Sequence, residues 1–197
     1  SLIWEPWTGL SEGLIRKFAG QDGCVLELKT KTTSIDTLLD LPHRRRTILA
    51  WSLNTERVIG SEERGTAPLD ARLKAAARCA AQGYPLAFHF DPIVIDDGCE
   101  AEYRRTVERL FAVIDPRRIV WISLGALRFM PDLKGVVQDR FPLSKIPYGE
   151  FITGLDGKMR YFKPLRMQIY RAIAQAIRAY APDVCLYFCM EDDEVWQ

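Results

Sequence analysis

The sequence predicts an α/β protein, a parallel-stranded sheet wound with helices into a partial or complete TIM-like (β/α) barrel. Three observations predict it. Apolar runs of strand length alternate with segments of helical periodicity, joined by short links. The run Ile119-Val120-Trp121-Ile122-Ser123-Leu124 is almost continuously apolar, as expected of a strand whose two faces are both covered, and such strands pair in parallel. Four runs lead into a polar residue, namely Lys31, Ser52, Asp91 and Ser123. Right-handed crossovers bring such strand ends to one rim, where barrels and open α/β sheets bind ligands, so a pocket is expected there.

The elements follow in order. Leu10 to Ala19 predicts a helix, with Thr8 or Ser11 as cap, Leu10, Leu14, Ile15 and Phe18 on one face and Gly20 as the stop. A strand from Cys24 to Lys29 and a second over 47–53 are separated by a helical turn, Ile35 to Leu39, and the basic cluster His43-Arg44-Arg45-Arg46. After Thr66, Pro68 and Asp70 in the first turn, the stripe Leu69, Leu73, Ala76, Ala77 and Ala80 and the terminator Gly83 define a helix. The strand 86–90 ends at Asp91-Pro92, and Tyr103, Val107, Leu110, Phe111 and Ile114 recur at helical spacing. A helix around Leu133 to Arg140 follows the strand 119–124. An Asp156-Gly157 turn signal between apolar-containing arms predicts a hairpin excursion at about 148–162. Pro164 opens the last long helix, with Leu165, Ile169, Ile173 and Ile177 on one face, and Val184 to Met190 forms the final strand. One domain over 1–197 is expected, since this length and 48% hydrophobic content suffice for one sizeable core.

Composition excludes more than it selects. With 27 Lys+Arg against 26 Asp+Glu the net charge is +1, so nothing in the overall balance calls for nucleic acid, an acidic substrate or a membrane surface. Five scattered cysteines, odd in number, read as reduced thiols in a cytoplasm. No apolar stretch reaches membrane-spanning length, and no secretory signal opens the chain. It starts without Met, which leads us to expect that it is cut from something longer.

Lys31 at a strand end suits a carboxylate or phosphate as a compact point charge, although a solvated loop lysine fits the same pattern. Ser52 and Asn54 offer a hydroxyl and an amide for a ligand or for capping the next turn. His89 and Asp91 share one strand face, and such a pair can do acid–base work. Cys185 and Cys189 have no third ligand nearby, so no metal site is expected from them. Carboxylates beside Cys99 raise rather than lower a thiol pKa, which argues against a nucleophile. The cluster Arg44 to Arg46 and the arm Lys158 to Lys163 mix cations and aromatics in a way suited to a phosphate backbone, or to solvent alone. The first strand-to-helix turn, 29–34, has no glycine-rich phosphate loop, which disfavours a doubly wound nucleotide-binding sheet.

The segments Glu27-Leu28-Lys29-Thr30-Lys31-Thr32, Trp51-Ser52-Leu53-Asn54, Gly65-Thr66-Ala67-Pro68-Leu69, Ala81-Gln82-Gly83-Tyr84-Pro85-Leu86 and His89-Phe90-Asp91-Pro92-Ile93 resemble, in order and spacing, the spore photoproduct lyase family of radical S-adenosylmethionine proteins. The pieces 121–129 and 154–162 resemble a bacterial branch described as DNA repair photolyases. The resemblance covers almost the whole chain and implies a radical SAM partial barrel truncated at its N-terminus. Members carry a 4Fe-4S cluster on a Cys-x3-Cys-x2-Cys loop and cleave S-adenosylmethionine to a 5′-deoxyadenosyl radical. That motif is absent here. The resemblance therefore implies the C-terminal part of a lesion-repair lyase, inactive alone and binding neither group tightly, whose parent acts on damaged pyrimidines in DNA. It places Lys31 on the cofactor carboxylate, Ser52 on the next strand beside it, and Asp91 where the spore enzyme has a small residue. It places Arg160 and Tyr161 near the lesion, and the family's catalytic cysteine before Ser1. The alternative is a cluster-free α/β module that binds DNA or a protein partner.

Overall fold

The computed structural model describes residues 2–196. Helices α1 (Glu5–Thr8) and α2 (Leu10–Ala19) lead into strand β1 (Leu26–Thr30), and a 3-10 turn, Asp36–Leu38, is the whole crossover to β2 (Thr47–Ser52). Helices α3 (Glu56–Ser61) and α4 (Leu69–Ala81) connect to β3 (Leu86–Ile93), and α5 (Cys99–Val113) connects to β4 (Ile119–Ala126). Beyond β4 come β5 (Arg128–Phe129), α6 (Leu133–Arg140), the hairpin β6 (Phe151–Thr153) and β7 (Met159–Tyr161), then α7 (Lys163–Tyr180), β8 (Cys185–Phe188) and α8 (Asp193–Trp196).

The main sheet runs β1-β2-β3-β4-β8 with every pair parallel. Strands laid down in chain order with helices between them follow barrel winding. The sheet is not closed: β1 and β8 are its edges among the described residues. Strands β5, β7 and β6 form a small antiparallel sheet beside it.

Burial explains the strand patterns. Central β2 is buried at all six positions, whereas edge strand β1 alternates along its length. One face of the sheet, with Leu49, Trp51, Phe88, Phe90, Ile122 and Leu124, joins the large core formed with the helices. Ile169, Ile173 and Ile177 of α7 enter that core at helical spacing, each burial worth about 1.5–3 kcal/mol. The second face holds only a small apolar group, Ile48, Ala50 and Ala87 with Trp121 against it.

Three sequence expectations are corrected. Helix α2 is not capped by Ser11, and Thr8 gives only a long contact, its Oγ1 accepting from the Leu10 N–H at 3.5 Å. The buried Glu5 carboxylate accepts from the Ser11 and Glu12 N–H groups at 2.8 and 3.0 Å, a contact from six residues upstream. Strand β3 does not stop at Asp91-Pro92 but runs to Ile93, with a register shift between Phe90 and Ile93 that accommodates the missing proline N–H. Ser123 is not at a strand end: β4 continues to Ala126, which places Ser123 inside the strand and fully buried.

Candidate functional site

The second face of the sheet carries polar side chains where a barrel interior would lie. Alternation puts Glu27 and Lys29 of β1, Ala50 and Ser52 of β2, His89 and Asp91 of β3, and Ser123 and Gly125 of β4 on it. Parallel register sets Thr30 against Trp51, Ser52 against His89, and His89 against Ser123. Lys31 and Ser52 therefore end adjacent strands at the same side of the sheet, and Asp91 lies two residues beyond His89 on the next strand.

Each of these residues has a distinct set of partners. Lys31 Nζ bonds Glu63 Oε1 at 2.8 Å. The other Glu63 oxygen accepts from Arg72 Nη2 at 2.6 Å. Arg72 is fully buried within α4 and also donates to the Ser52 carbonyl oxygen at 2.8 Å and the Ala67 carbonyl oxygen at 2.7 Å. Burial pushes the Glu63 carboxyl up, but the hydrogen bonds from Lys31 and Arg72 outweigh it and hold the group below its ordinary value. A buried guanidinium thus fixes both the backbone end of β2 and the carboxylate that holds Lys31. Ser52 is 4% exposed on the strand that this guanidinium anchors.

His89 and Asp91 share a face, as alternation requires, but they do not pair. His89 is nearly fully buried and bridges two strands: Nδ1 lies 2.6 Å from Ser123 Oγ and Nε2 lies 2.6 Å from Glu27 Oε1. The hydrogen bond from His89 is the largest influence on Glu27 and holds that carboxyl below its usual range. The line from Glu27 to His89 crosses β2 at Ala50, whose methyl leaves the path open. Asp91 pairs instead with Arg128 at 3.1 Å and with Lys29 at 3.8 Å. Gly125 makes the room for it, because a Cβ there would stand 2.9 Å from Asp91 Oδ1. A cavity of about 380 Å³ opens beside this pair, lined by Asp91, Arg128, Met130 and Lys158 among others.

Asn54 acts as a clamp rather than a free amide. Its Nδ2 donates to the Pro92 carbonyl oxygen at 2.9 Å, and its Oδ1 accepts from the Tyr103 hydroxyl at 2.6 Å. In the hairpin, Arg160 is bound to Asp156 of the turn. Tyr161 is buried, stacks on Phe151 at 4.3 Å, and accepts from the Ile95 N–H at 3.2 Å through its hydroxyl. Tyr161 thus seats the hairpin on the loop after β3, while Arg44 and Arg45 are exposed to solvent.

Sequence reasoning missed Glu63, Arg72, Glu27 and Arg128. Arg72 left a signal, since it sits three residues after Leu69 on the apolar face of α4, where a cation is out of place unless paired. Glu63 left none, because Glu62-Glu63-Arg64 has the appearance of a solvated charge run.

Comparison with known proteins gives a consistent result. A family model described as spore photoproduct lyase matches residues 5–184. The spore photoproduct lyase of Bacillus subtilis (strain 168) is 35% identical over 169 residues, covering 85% of this chain and 47% of that protein. The spore photoproduct lyase of Geobacillus sp. (strain Y412MC61) is 34% identical over 132 residues, 64% of this chain and 37% of that protein. A solved cysteine-to-alanine variant of spore photoproduct lyase is similar at a TM-score of 0.87 and 27% identity, covering 94% of this chain and 57% of that one. A further variant, solved with bound S-adenosylmethionine and dinucleoside spore photoproduct, has a TM-score of 0.82 at 26% identity, covering 93% and 56%. The chain spans less than half the length of the curated relatives it matches.

Proposed function

This chain belongs to the spore photoproduct lyase family, and on that premise we propose that it forms the C-terminal part of a cytoplasmic lesion-repair lyase that uses S-adenosylmethionine on damaged pyrimidines in DNA. In this reading the sheet supplies the amino-acid end of the cofactor pocket and the hairpin supplies the lesion side. The observation that carries it is the side-by-side placement of Lys31 and Ser52 at adjacent strand ends, both tied to Arg72.

The residues fit one implied group and not the other. An iron–sulfur cluster finds no ligand set: the cysteines are scattered, and no group of three or more His, Cys, Asp or Glu side chains among the described residues is placed to hold a metal. The methionine end of S-adenosylmethionine does fit. Lys31 presents three donors and its bond to Glu63 spends one, so its ammonium still has donors for a carboxylate. Ser52 adds a hydroxyl. Asp91 supplies a carboxylate that accepts from an amino group, with Arg128 and Lys29 balancing its charge. If bound there, the cofactor would supply, on one-electron reduction by a donor that these residues do not provide, a carbon radical able to abstract hydrogen from a damaged base.

On the lesion side, Tyr161 fixes the base of the hairpin, and Arg160 holds a cation beside the turn, released to a phosphate when Asp156 yields it. A relative solved with dinucleoside spore photoproduct supports this ligand class.

The test is a titration of the chain with S-adenosylmethionine, followed through backbone amide resonances. Weak saturable shifts at residues 31, 52 and 91 are expected, with Lys31→Ala lowering the affinity about tenfold. Unchanged affinity in that variant removes Lys31 from the site. Equal binding of dinucleoside spore photoproduct and an undamaged dinucleoside removes the lesion reading.

A further inference from the structure

Helices α5 and α7 pack side by side, and a groove of about 610 Å³ opens between them. Its walls include Glu100 and Arg104 from the N-terminal half of α5 and Lys163, Met167, Gln168 and Arg171 from the N-terminal half of α7. Helices that return between parallel strands start at the rim where those strands end, so the groove begins there. The hairpin stands beside it, since Lys163 is two residues beyond Tyr161 at the end of β7.

Charge is uneven around α5. Toward α4, Arg57 is neutralised by Asp96 and Glu102, and Arg109 by Glu56 and Asp70. Toward α7, Arg104 and Arg171 are exposed and bond no carboxylate among the described residues. The acid of this groove, Glu100, accepts from the Gln168 amide at 2.6 Å. The lining thus sets Arg104, Lys163 and Arg171 against Glu100 alone, a local excess on a chain whose net charge is +1. Lys163 and Arg171 are eight residues apart on one helix, about 12 Å, so they line a path rather than converge on one small anion.

We propose that this groove is a sequence-independent phosphate track: Arg104 and Arg171, with Lys163 at its head, bind the backbone of the nucleic-acid strand that runs on from the hairpin. The proposal rests on the reading of the hairpin as the lesion side and names a separate surface for the flanking strand. Guanidinium forks, and amides such as Gln175 in the same lining, contact phosphate oxygens without reading bases. The neighbouring cavity, with Asp96, Asp97 and Glu150, has no cation in its lining and repels a polyanion, which keeps the strand on the Lys163 side.

The probe is a labelled, undamaged single-stranded oligonucleotide, titrated with the chain by fluorescence anisotropy at several salt concentrations. Weak binding independent of base sequence is expected. Arg104→Gln combined with Arg171→Gln should lower the affinity about tenfold at low salt and reduce the slope of log affinity against log salt by about 1.4, the share of two phosphate contacts. Both positions are exposed, so folding should be unaffected. Arg105→Gln removes a charge from the same helix on its α4 side and should change neither quantity. An equal loss in Arg105→Gln, or no loss in the double variant, overturns the track. Displacement by oligoglutamate as effective as by unlabelled oligonucleotide overturns it in favour of an acidic polypeptide. Dinucleoside spore photoproduct, titrated separately, reports on the hairpin: discrimination from an undamaged dinucleoside with no effect of the double variant on the oligonucleotide leaves the lesion reading and removes the track. The converse pair of results removes the lesion reading and leaves the track.

Discussion

Lys31 and Arg72 hold opposite oxygens of one carboxylate, Glu63, at 2.8 and 2.6 Å. One of these cations is partly open to solvent and the other is fully buried. The strand end that carries Lys31 is thereby linked to α4 and, through the Arg72 bond to the Ser52 carbonyl oxygen, to the end of β2.

Removing that carboxylate strands a buried guanidinium, so Glu63→Gln is expected to cost about 3 kcal/mol, read by urea unfolding with an unchanged slope. The pH dependence has a definite sign. The folded pKa of Glu63 lies below the ordinary value of 4.5, so its contribution is fully present above about that pH and is lost as the pH falls through the folded value. Glu63→Gln should flatten acid unfolding in that window.

A Cβ at residue 125 would stand 2.9 Å from Asp91 Oδ1 and 3.2 Å from Cys189 Cβ. Gly125→Ala is therefore expected to lower stability by about 1–2 kcal/mol by pushing Asp91 off Arg128. In an Asp91→Ala background the cost should shrink, and the double-mutant cycle in thermal unfolding measures that coupling.

Tyr103 is fully buried, and its hydroxyl accepts from the Val94 N–H at 2.8 Å while donating to Asn54 Oδ1 at 2.6 Å. Tyr103→Phe leaves that N–H without its acceptor. A loss of about 1–3 kcal/mol in chemical denaturation is expected, with little change in overall secondary structure by circular dichroism.

Glu5 caps α2 from outside the helix. Glu5→Ala should cost about 1 kcal/mol, and amide exchange should quicken first at Ser11 and Glu12.

The fold was legible because its signals are local: apolar runs of strand length for the strands, four-residue spacing for α4 and α7, and Asp156-Gly157 for the hairpin turn. The winding into a partial barrel, expected from alternation and resemblance, agrees with the parallel order of five strands and with the solved relatives. What stayed hidden depends on long-range pairing. Glu27 reaches His89 across 62 residues, and no window of sequence contains both partners; the Glu5 cap lies only six residues from Ser11, but a glutamate upstream of a helix carries no mark of turning back onto it. Ser123 misled for a related reason: a serine inside an apolar run reads as the end of the run until a histidine on the neighbouring strand accounts for it. Tyr161, which the resemblance places near the lesion, is buried and stacked on Phe151, and an aromatic between Arg160 and Phe162 carries no local mark of which way it turns.

Strand β1 borders the sheet, and its outward row of amides and carbonyls faces no neighbouring strand among the described residues. Such a margin invites another polypeptide to dock in register and start a fibril, the more so with Val25 partly exposed beside it. Glu27 and Lys29 do not guard that margin, since their side chains reach inward across β2 to His89 and Asp91. A charge introduced at Val25 would stand at the margin itself, and it is expected to oppose such growth while leaving the inward-facing polar pairs intact.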